Sequence, residues 1–392
     1  MKVVHIIATL DHGGAESALY RLITNDNDNE HQVICLSDAD FYGTRLIDSG
    51  FKVSVLNMRQ IHRALLAPFT LTSILRKEQP DIIQTWMYHS DVFGGTIARL
   101  VCRAKVVWGI RVANIKNVRY GLMTRTVVKA SFLLSKMVPH HIISCAETAK
   151  DQHILGGYPA GRMSVVANGY DFNWLHQDAQ LRRKMRSEWS IPDSCFVIGM
   201  VGRWHPQKNH ACLLRALAML LNQSDREIKL VLVGPDIVDS NAELQLAIEQ
   251  YDVDDHVLLL GERSDIPNLY NAMDLHVLPS LDEGFPNVVA EAMCCGTPCI
   301  ASDVGDAAII IGECGWVVPP NNTSALVDAL SEAVAAHRDD KAWGELQHNS
   351  RESILERYSL QSMADGFGAV WNTLYRQDTR PSAGGSVDAE VD

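Results

Sequence analysis

Residues 275–302 read LHVLPSLDEGFPNVVAEAMCCGTPCIAS. The aliphatic run at 275–280 ends at a proline and a serine, and a second short run, PCIAS, occupies 298–302. Between them Pro286 suits the first position of a helix, and Gly296 with Pro298 suits its end. Strand, helix and strand in this order predict a crossover unit, which joins parallel strands. Between Glu283 and Asp303 the only charged residue is Glu291. The helix is therefore apolar almost all round and is expected to be buried against a sheet.

The same alternation runs outward from this unit. FVIGMVG at 196–202, KLVLVG at 229–234 and VLLLG at 257–261 precede it, with helix-like segments between. An earlier series comprises KVVHIIA at 2–8, QVICLS at 32–37, KVSVLN at 52–57, DIIQTW at 81–86, KVVWGI at 105–110 and HIISCA at 141–146. Runs this apolar suit parallel sheets covered by helices on both faces. The chain is expected to be α/β, with two doubly wound, Rossmann-like domains facing across a cleft. Its 392 residues agree with two to three domains of about 150 residues. The expected divisions are a first domain over 1–170, a linker over 171–195 with Pro192 near its end, and a second domain over 196–355. A helix over 356–376, with Ser359 as its cap, is expected to pack back on the first domain, and 377–392 to form a disordered polar tail.

Apolar residues make up 47% of the chain and charged residues 21%, the proportions of an ordinary globular protein. Nine cysteines, an odd number with no C-x-x-C pair, argue against a disulfide framework and a four-ligand zinc site and favour the reducing cytoplasm. The first apolar run is too short for a signal peptide, and no apolar stretch approaches the ~18 to 20 residues that cross a bilayer. The net charge of −12 makes the average surface repel nucleic acid. That average hides a segregation. Residues 92–146 contain no Asp or Glu, while Arg99, Arg103, Lys105, Arg111, Lys116, Arg119, Arg125, Lys129 and Lys136 give +9, leaving −21 to the rest. Within that segment VVKASFLLSKMVPHH mixes apolar groups with spaced cations, the composition of a helix lying on an anionic membrane surface. A packed amphipathic helix with a solvated basic face is the competing reading.

In open parallel sheets ligands bind beyond the carboxyl ends of strands, where free helix N–H groups favour anions. After the first strand, Asp11-His12-Gly13-Gly14-Ala15-Glu16 offers two glycines for close backbone approach, without the G-x-G-x-x-G spacing of a dinucleotide fold. After the first strand of the second domain, Gly202-Arg203-Trp204-His205-Pro206-Gln207-Lys208-Asn209 sets two cations beside a glycine turn. A planar fork and a mobile ammonium suit the two phosphates of a pyrophosphate, and the spacing is not that of a P-loop. Glu291, buried and alone, needs hydrogen-bond donors from protein or ligand, or an internal ion pair. Glu283 and Glu291 also suit a glycosidase pair by residue type, although a hydrolase has no evident use for Arg203 and Lys208.

These blocks, GGAE at 13–16, GRWHPQKN at 202–209 and EGFPNVVAEAMCCGTP at 283–298, resemble the signature of the retaining, nucleotide-sugar-dependent glycosyltransferases of family four. The resemblance spans roughly 2–376 and implies the two-domain fold called GT-B. It implies that Arg203 and Lys208 hold the donor pyrophosphate, that Glu283 touches the donor sugar and that Glu291 holds the ribose diol. The N–H groups of Val288 and Val289 would support phosphate, Gly284 and Phe285 would lie against the sugar, Arg263 would border the base, and Gly14 would close the site from the first domain. The block QTWMYHSD at 84–91 resembles family members that build bacterial surface polysaccharides, which points His89 at the sugar or the acceptor hydroxyl. Arg111 is a further candidate, for an acceptor phosphate. On this reading Glu283, His89, Arg203 and Lys208 carry the chemistry. The resemblance implies no metal cofactor, and the D-x-D triplets at 26–28, 38–40 and 252–254 read as solvated turns. The implied partners are a nucleotide sugar, most simply a UDP-sugar, and a lipid-linked saccharide, with an anionic membrane met through 92–146 and no nucleic acid. A UDP-sugar epimerase and a non-catalytic nucleotide-sugar sensor are the competing functions.

Overall fold

The computed structural model describes residues 1–112 and 121–379. Two parallel sheets organise the chain. The first contains β1 (Lys2–Ile7), β2 (Glu30–Cys35), β3 (Lys52–Val55), β4 (Ile82–Trp86), β5 (Lys105–Ile110), β6 (His141–Ser144) and β7 (Met163–Val165). The second contains β8 (Phe196–Val201), β9 (Ile228–Val233), β10 (Val257–Leu259), β11 (Leu275–Leu278), β12 (Cys299–Ser302) and β13 (Gly315–Val318). Their orders are β3-β2-β1-β4-β5-β6-β7 and β10-β9-β8-β11-β12-β13, every pairing parallel. Each sheet thus reverses direction once, between β1 and β4 and between β8 and β11. These are the switch points beyond which open α/β sheets bind ligands. Two strands, β7 and β13, were not legible as apolar runs. Both are short outer strands, and only Val318 among their residues is buried.

Val3, Ile7, Ile82 and Val107 pack one face of the first sheet against the 14–25 helix and the last helix, Leu360–Thr379. Val4, Ile6, Ile83 and Val106 pack the other face. Ser359 caps the last helix, its hydroxyl accepting from the N–H of Ser362 at 2.9 Å. Phe367 stacks on Trp86 and Trp371 donates from Nε1 to Gln84 at 3.2 Å, so this helix belongs to the first sheet's core. It runs to Thr379, three residues beyond the expected end, because its helical backbone continues through Gln377, Asp378 and Thr379. The remainder of the expected tail lies outside the described residues, as do Lys116 and Arg119.

Inside 171–195 a helix, Ala179–Glu188, is capped by Asp178. Its Arg182 and Arg186 both bond Asp274, at 2.5 and 2.6 Å, which fixes the helix to the second domain. Burial alone would raise the Asp274 carboxyl, but donors from His337, the two arginines and the Val197 N–H hold it well below the usual range. All nine cysteines are free thiols, seven of them buried. Among the described residues no helix is long and apolar enough to cross a membrane.

Of the D-x-D triplets, 252–254 sits on an exposed turn, with Asp252 in the left-handed region at φ 54°. The 26–28 triplet differs from the expected solvated turn. Asp26 is nearly buried, 3.1 Å from His31 Nε2 and bonded by Asn29 and the Asp28 N–H. Burial raises its carboxyl, and those partners outweigh the burial and bring it down to about 2. Among the described residues no group of three or more His, Cys, Asp or Glu is arranged to hold a metal ion.

Candidate active site

The loops leaving β1, β4, β5, β8 and β11 converge on one cavity of about 430 Å³. Two cations face it from the loop after β8. Arg203 is exposed and makes no ion pair among the described residues. Lys208 ends a single 3-10 turn, Pro206–Lys208, before Asn209 at φ 57° swings the chain into the 210–221 helix. The left-handed conformation at Asn209 lets the chain turn sharply there, a strain that clusters at functional sites.

Lys208 Nζ donates to Glu283 Oε1 at 2.6 Å, with both side chains mostly covered. An ammonium has three N–H donors and this pair uses one, leaving donors for an anion beside the carboxylate. Gln207 fastens the opposite loop, its Nε2 donating to the Asp282 carbonyl at 2.6 Å. Asp282 itself lines the cavity, and partial burial with the neighbouring Glu283 charge pushes its carboxyl up to about 6.

After Glu283, Gly284 and Phe285 form wall, and Phe285 is held edge-on by Tyr358 at 5.4 Å between ring centres. The helix then spans Asn287–Cys294 with Pro286 as its flanking residue, one position later than the sequence suggests. That shift corrects the expectation for Val289. Its N–H closes a tight first turn on the Pro286 carbonyl at 3.1 Å and its side chain is fully buried, so it offers no donor to a phosphate. Val288 does line the cavity.

From the first domain, Gly14 opens the 14–25 helix, and a Cβ placed there would meet Asn287 Nδ2 at 3.2 Å. The close approach requires glycine or a shift of that amide. Asn287 Oδ1 accepts from Asn168 at 2.9 Å and from the Tyr170 hydroxyl at 2.7 Å, forming a polar node across the cleft. Glu16 adds a carboxylate, raised by burial although Thr9 donates to it at 2.9 Å. Arg111 lines the cavity with its guanidinium over Trp86 at 4.5 Å and one N–H on Asn168 at 2.8 Å.

Besides Val289, three expected residues, His89, Arg263 and Glu291, are not part of the cavity wall. The residue at the carboxyl end of β4 that reaches the wall is Met87, in the left-handed region at φ 70°. His89, two residues on, is half-buried in the following helical turn, where burial lowers its pKa. Arg263 is clamped by Asp265 through two contacts of 2.7 Å. Glu291 sits 3.9 Å from Arg21 and 3.5 Å from the Tyr270 hydroxyl, and burial raises its carboxyl. Arg21 reaches it from the first domain, resting over Tyr170 at 4.8 Å. Sequence reading missed Asn168, Asn287 and Met87 as site residues, and Arg21 as the partner of Glu291. Only Asn287 carried a signal, its place beside Pro286 at the helix start.

A family model described as glycosyl transferases group 1 matches residues 182–349, and one described as glycosyltransferase family 4 matches residues 12–174. A UDP-Gal:alpha-D-GlcNAc-diphosphoundecaprenol alpha-1,3-galactosyltransferase of Escherichia coli is 26% identical over 306 residues, 76% of either chain. The capsular polysaccharide biosynthesis glycosyltransferase CapM of Staphylococcus aureus is 23% identical over 322 residues, 78% of this chain and 80% of its own. Anabaena HepE, solved in complex with UDP, superposes with a TM-score of 0.84 at 22% identity, covering 95% of this chain and 100% of HepE. WaaG, a glycosyltransferase involved in lipopolysaccharide biosynthesis, gives 0.71 at 16% identity over 94% of this chain and 99% of its own. Two family models that divide the chain as its two sheets do, and a shared fold over nearly all its length, make this protein a family-4 glycosyltransferase of GT-B architecture.

Proposed function

We propose that this enzyme moves a hexose or N-acetylhexosamine, with retention and without a metal, from a UDP-sugar to a lipid-linked saccharide in bacterial surface polysaccharide synthesis. The observation that carries the reading is the pairing of an uncommitted Arg203 with Lys208 and Glu283 on one wall of the cavity. The Escherichia coli relative named as a galactosyltransferase on a diphosphoundecaprenol-linked sugar, and HepE solved with UDP, support the donor and acceptor classes.

In the proposed step the bond from the sugar's anomeric carbon to the β-phosphate oxygen breaks. The acceptor oxygen bonds the same carbon from the same face, and its proton passes to the departing diphosphate. Arg203 and Lys208 offset the charge growing on that leaving group, while Glu283, held by Lys208, orients the sugar hydroxyls. Activity is expected to persist in chelator. Strict dependence on added Mg²⁺ or Mn²⁺ would count against the metal-free assignment.

The membrane part of the reading rests on the first domain's outer helices. Ile61, Leu65 and Phe69, at helical spacing on the Ile61–Glu78 helix, are 81%, 73% and 75% exposed. Leu122 and Met123, at the start of the Leu122–Leu134 helix within the basic segment, are also exposed. Exposed apolar rows beside a cationic segment suit an anionic leaflet. Flotation with anionic and neutral vesicles at low salt tests this, and equal binding to both would remove the electrostatic contribution.

A further inference from the structure

The Glu147–Leu155 helix of the first domain has no side-chain cap of its own, because Ala146 occupies the capping position. Its first two N–H groups are nevertheless bonded. Glu147 N–H donates to Asp306 Oδ2 at 2.8 Å and Thr148 N–H to Asp306 Oδ1 at 2.9 Å. Asp306 belongs to the second domain, in the turn between β12 and the 307–311 helix, and is 4% exposed. One carboxylate therefore caps a helix of the other domain with both oxygens, where the helix dipole favours negative charge. The Thr148 hydroxyl adds a bond to the Gly305 carbonyl at 3.0 Å.

The same residue holds the sugar-facing loop. The Asp306 N–H donates to the Gly284 carbonyl at 3.0 Å. Gly305, at φ 56°, packs so closely that a Cβ would meet the Gly284 and Glu283 carbonyl oxygens at 2.3 and 2.6 Å. Cys145, two residues before the capped helix, lines the cavity on the other side. The bonds of Asp306 thus run from the first domain's helix start to the backbone beside Glu283.

We infer that Asp306 is a positioning residue, a cross-domain tie that sets the Glu283–Gly284 loop and the first domain in one relative arrangement. If the domains part, the capped helix loses both bonds to its end, so the tie favours the closed cleft. The consequence for the donor rests on the proposed reading of the Glu283 loop, whereas the tie itself does not.

The test is small-angle scattering of the full chain, free and with UDP, together with UDP titration calorimetry. Asp306→Ala is expected to enlarge the free particle and, if the closed fraction falls about tenfold, to weaken UDP binding about tenfold. Asp306→Asn, which keeps one side-chain acceptor oxygen for the helix end, is expected to fall between. Adding Ala146→Ser to Asp306→Ala returns a cap to the helix without the cross-domain bond, and is expected to leave the particle expanded and UDP binding weak. Unchanged scattering in both Asp306 variants, or full recovery of compactness by Ala146→Ser, would overturn the inference. Scattering of the free chain requires no nucleotide, so failure of wild type to bind UDP would sink the donor reading and leave the tie to be judged separately.

Discussion

The two walls of the cleft are built by one rule, loops at the switch points of parallel sheets, yet they differ in how their polar groups are committed. On the second-domain wall Arg203, Lys208, Asp282 and Glu283 come from two contiguous loops, and the Lys208–Glu283 pair presets charge before any ligand arrives. On the first-domain wall Gly14, Glu16, Met87, Arg111 and Asn168 come from four separate places in the chain and are held mainly by neutral contacts and ring faces. On the proposed reading, the difference teaches that a wall built to meet a charged diphosphate can be compact and ionic, while a wall built to meet an acceptor is assembled from dispersed positions.

Removing charge from the ionic wall is expected to have the largest effect. Lys208→Ala both deletes a leaving-group cation and strands Glu283, and is expected to lower the rate of UDP release by about 10² or more, with Arg203→Ala similar. Near-wild-type rates in both variants would erase the distinction between the walls. Asn287→Ala cuts the node that joins them, two hydrogen bonds worth about 1 kcal/mol in combination after solvent exchange, and is expected to lower kcat/KM by about fivefold.

Asp282 sharpens the comparison through pH. Its carboxyl lies near 6 in the folded chain against an ordinary 3.8, so the charged form is disfavoured by folding. The resulting cost to stability is absent below about pH 4, grows as pH rises between 4 and 6, and is complete above 6. Asp282→Asn removes it, and after discounting for partial exposure the variant is expected to gain about 1 kcal/mol over wild type at pH 7 and nothing at pH 4. Denaturant titrations at the two pH values measure this. The smallest effect is expected from His89→Ala, about twofold or less in rate, because that ring is not on the cavity wall. A hundredfold loss there would return His89 to the chemistry.

The same contrast explains what was legible in the sequence. The sheets could be read because buried parallel strands write themselves as unbroken apolar runs, and only β7 and β13, short outer strands with little buried surface, escaped. Arg203, Lys208 and Glu283 could be read because charged residues stand out beside glycine turns. Met87 could not, since nothing in a methionine announces a left-handed backbone. Arg21 and Asn168 sit in ordinary helical and loop sequence of the first domain, and only the folding of one domain onto the other brings them to Glu291 and Asn287. Asp306 was silent for the same reason. Its partners, Glu147 and Thr148, lie more than 150 residues away.

The central claim is that the ionic wall releases UDP as the sugar leaves for an acceptor. It is tested most directly by following UDP and the sugar's fate together, by proton NMR, with UDP-galactose, UDP-glucose and their N-acetylated counterparts. Each is incubated in chelator with and without a diphosphopolyprenol-linked N-acetylglucosamine. The account predicts that one donor yields UDP at a rate that rises with the acceptor, and that the transferred sugar keeps its anomeric configuration. UDP release indifferent to the acceptor from every donor, or a sugar that changes its epimer while still joined to UDP, would contradict it.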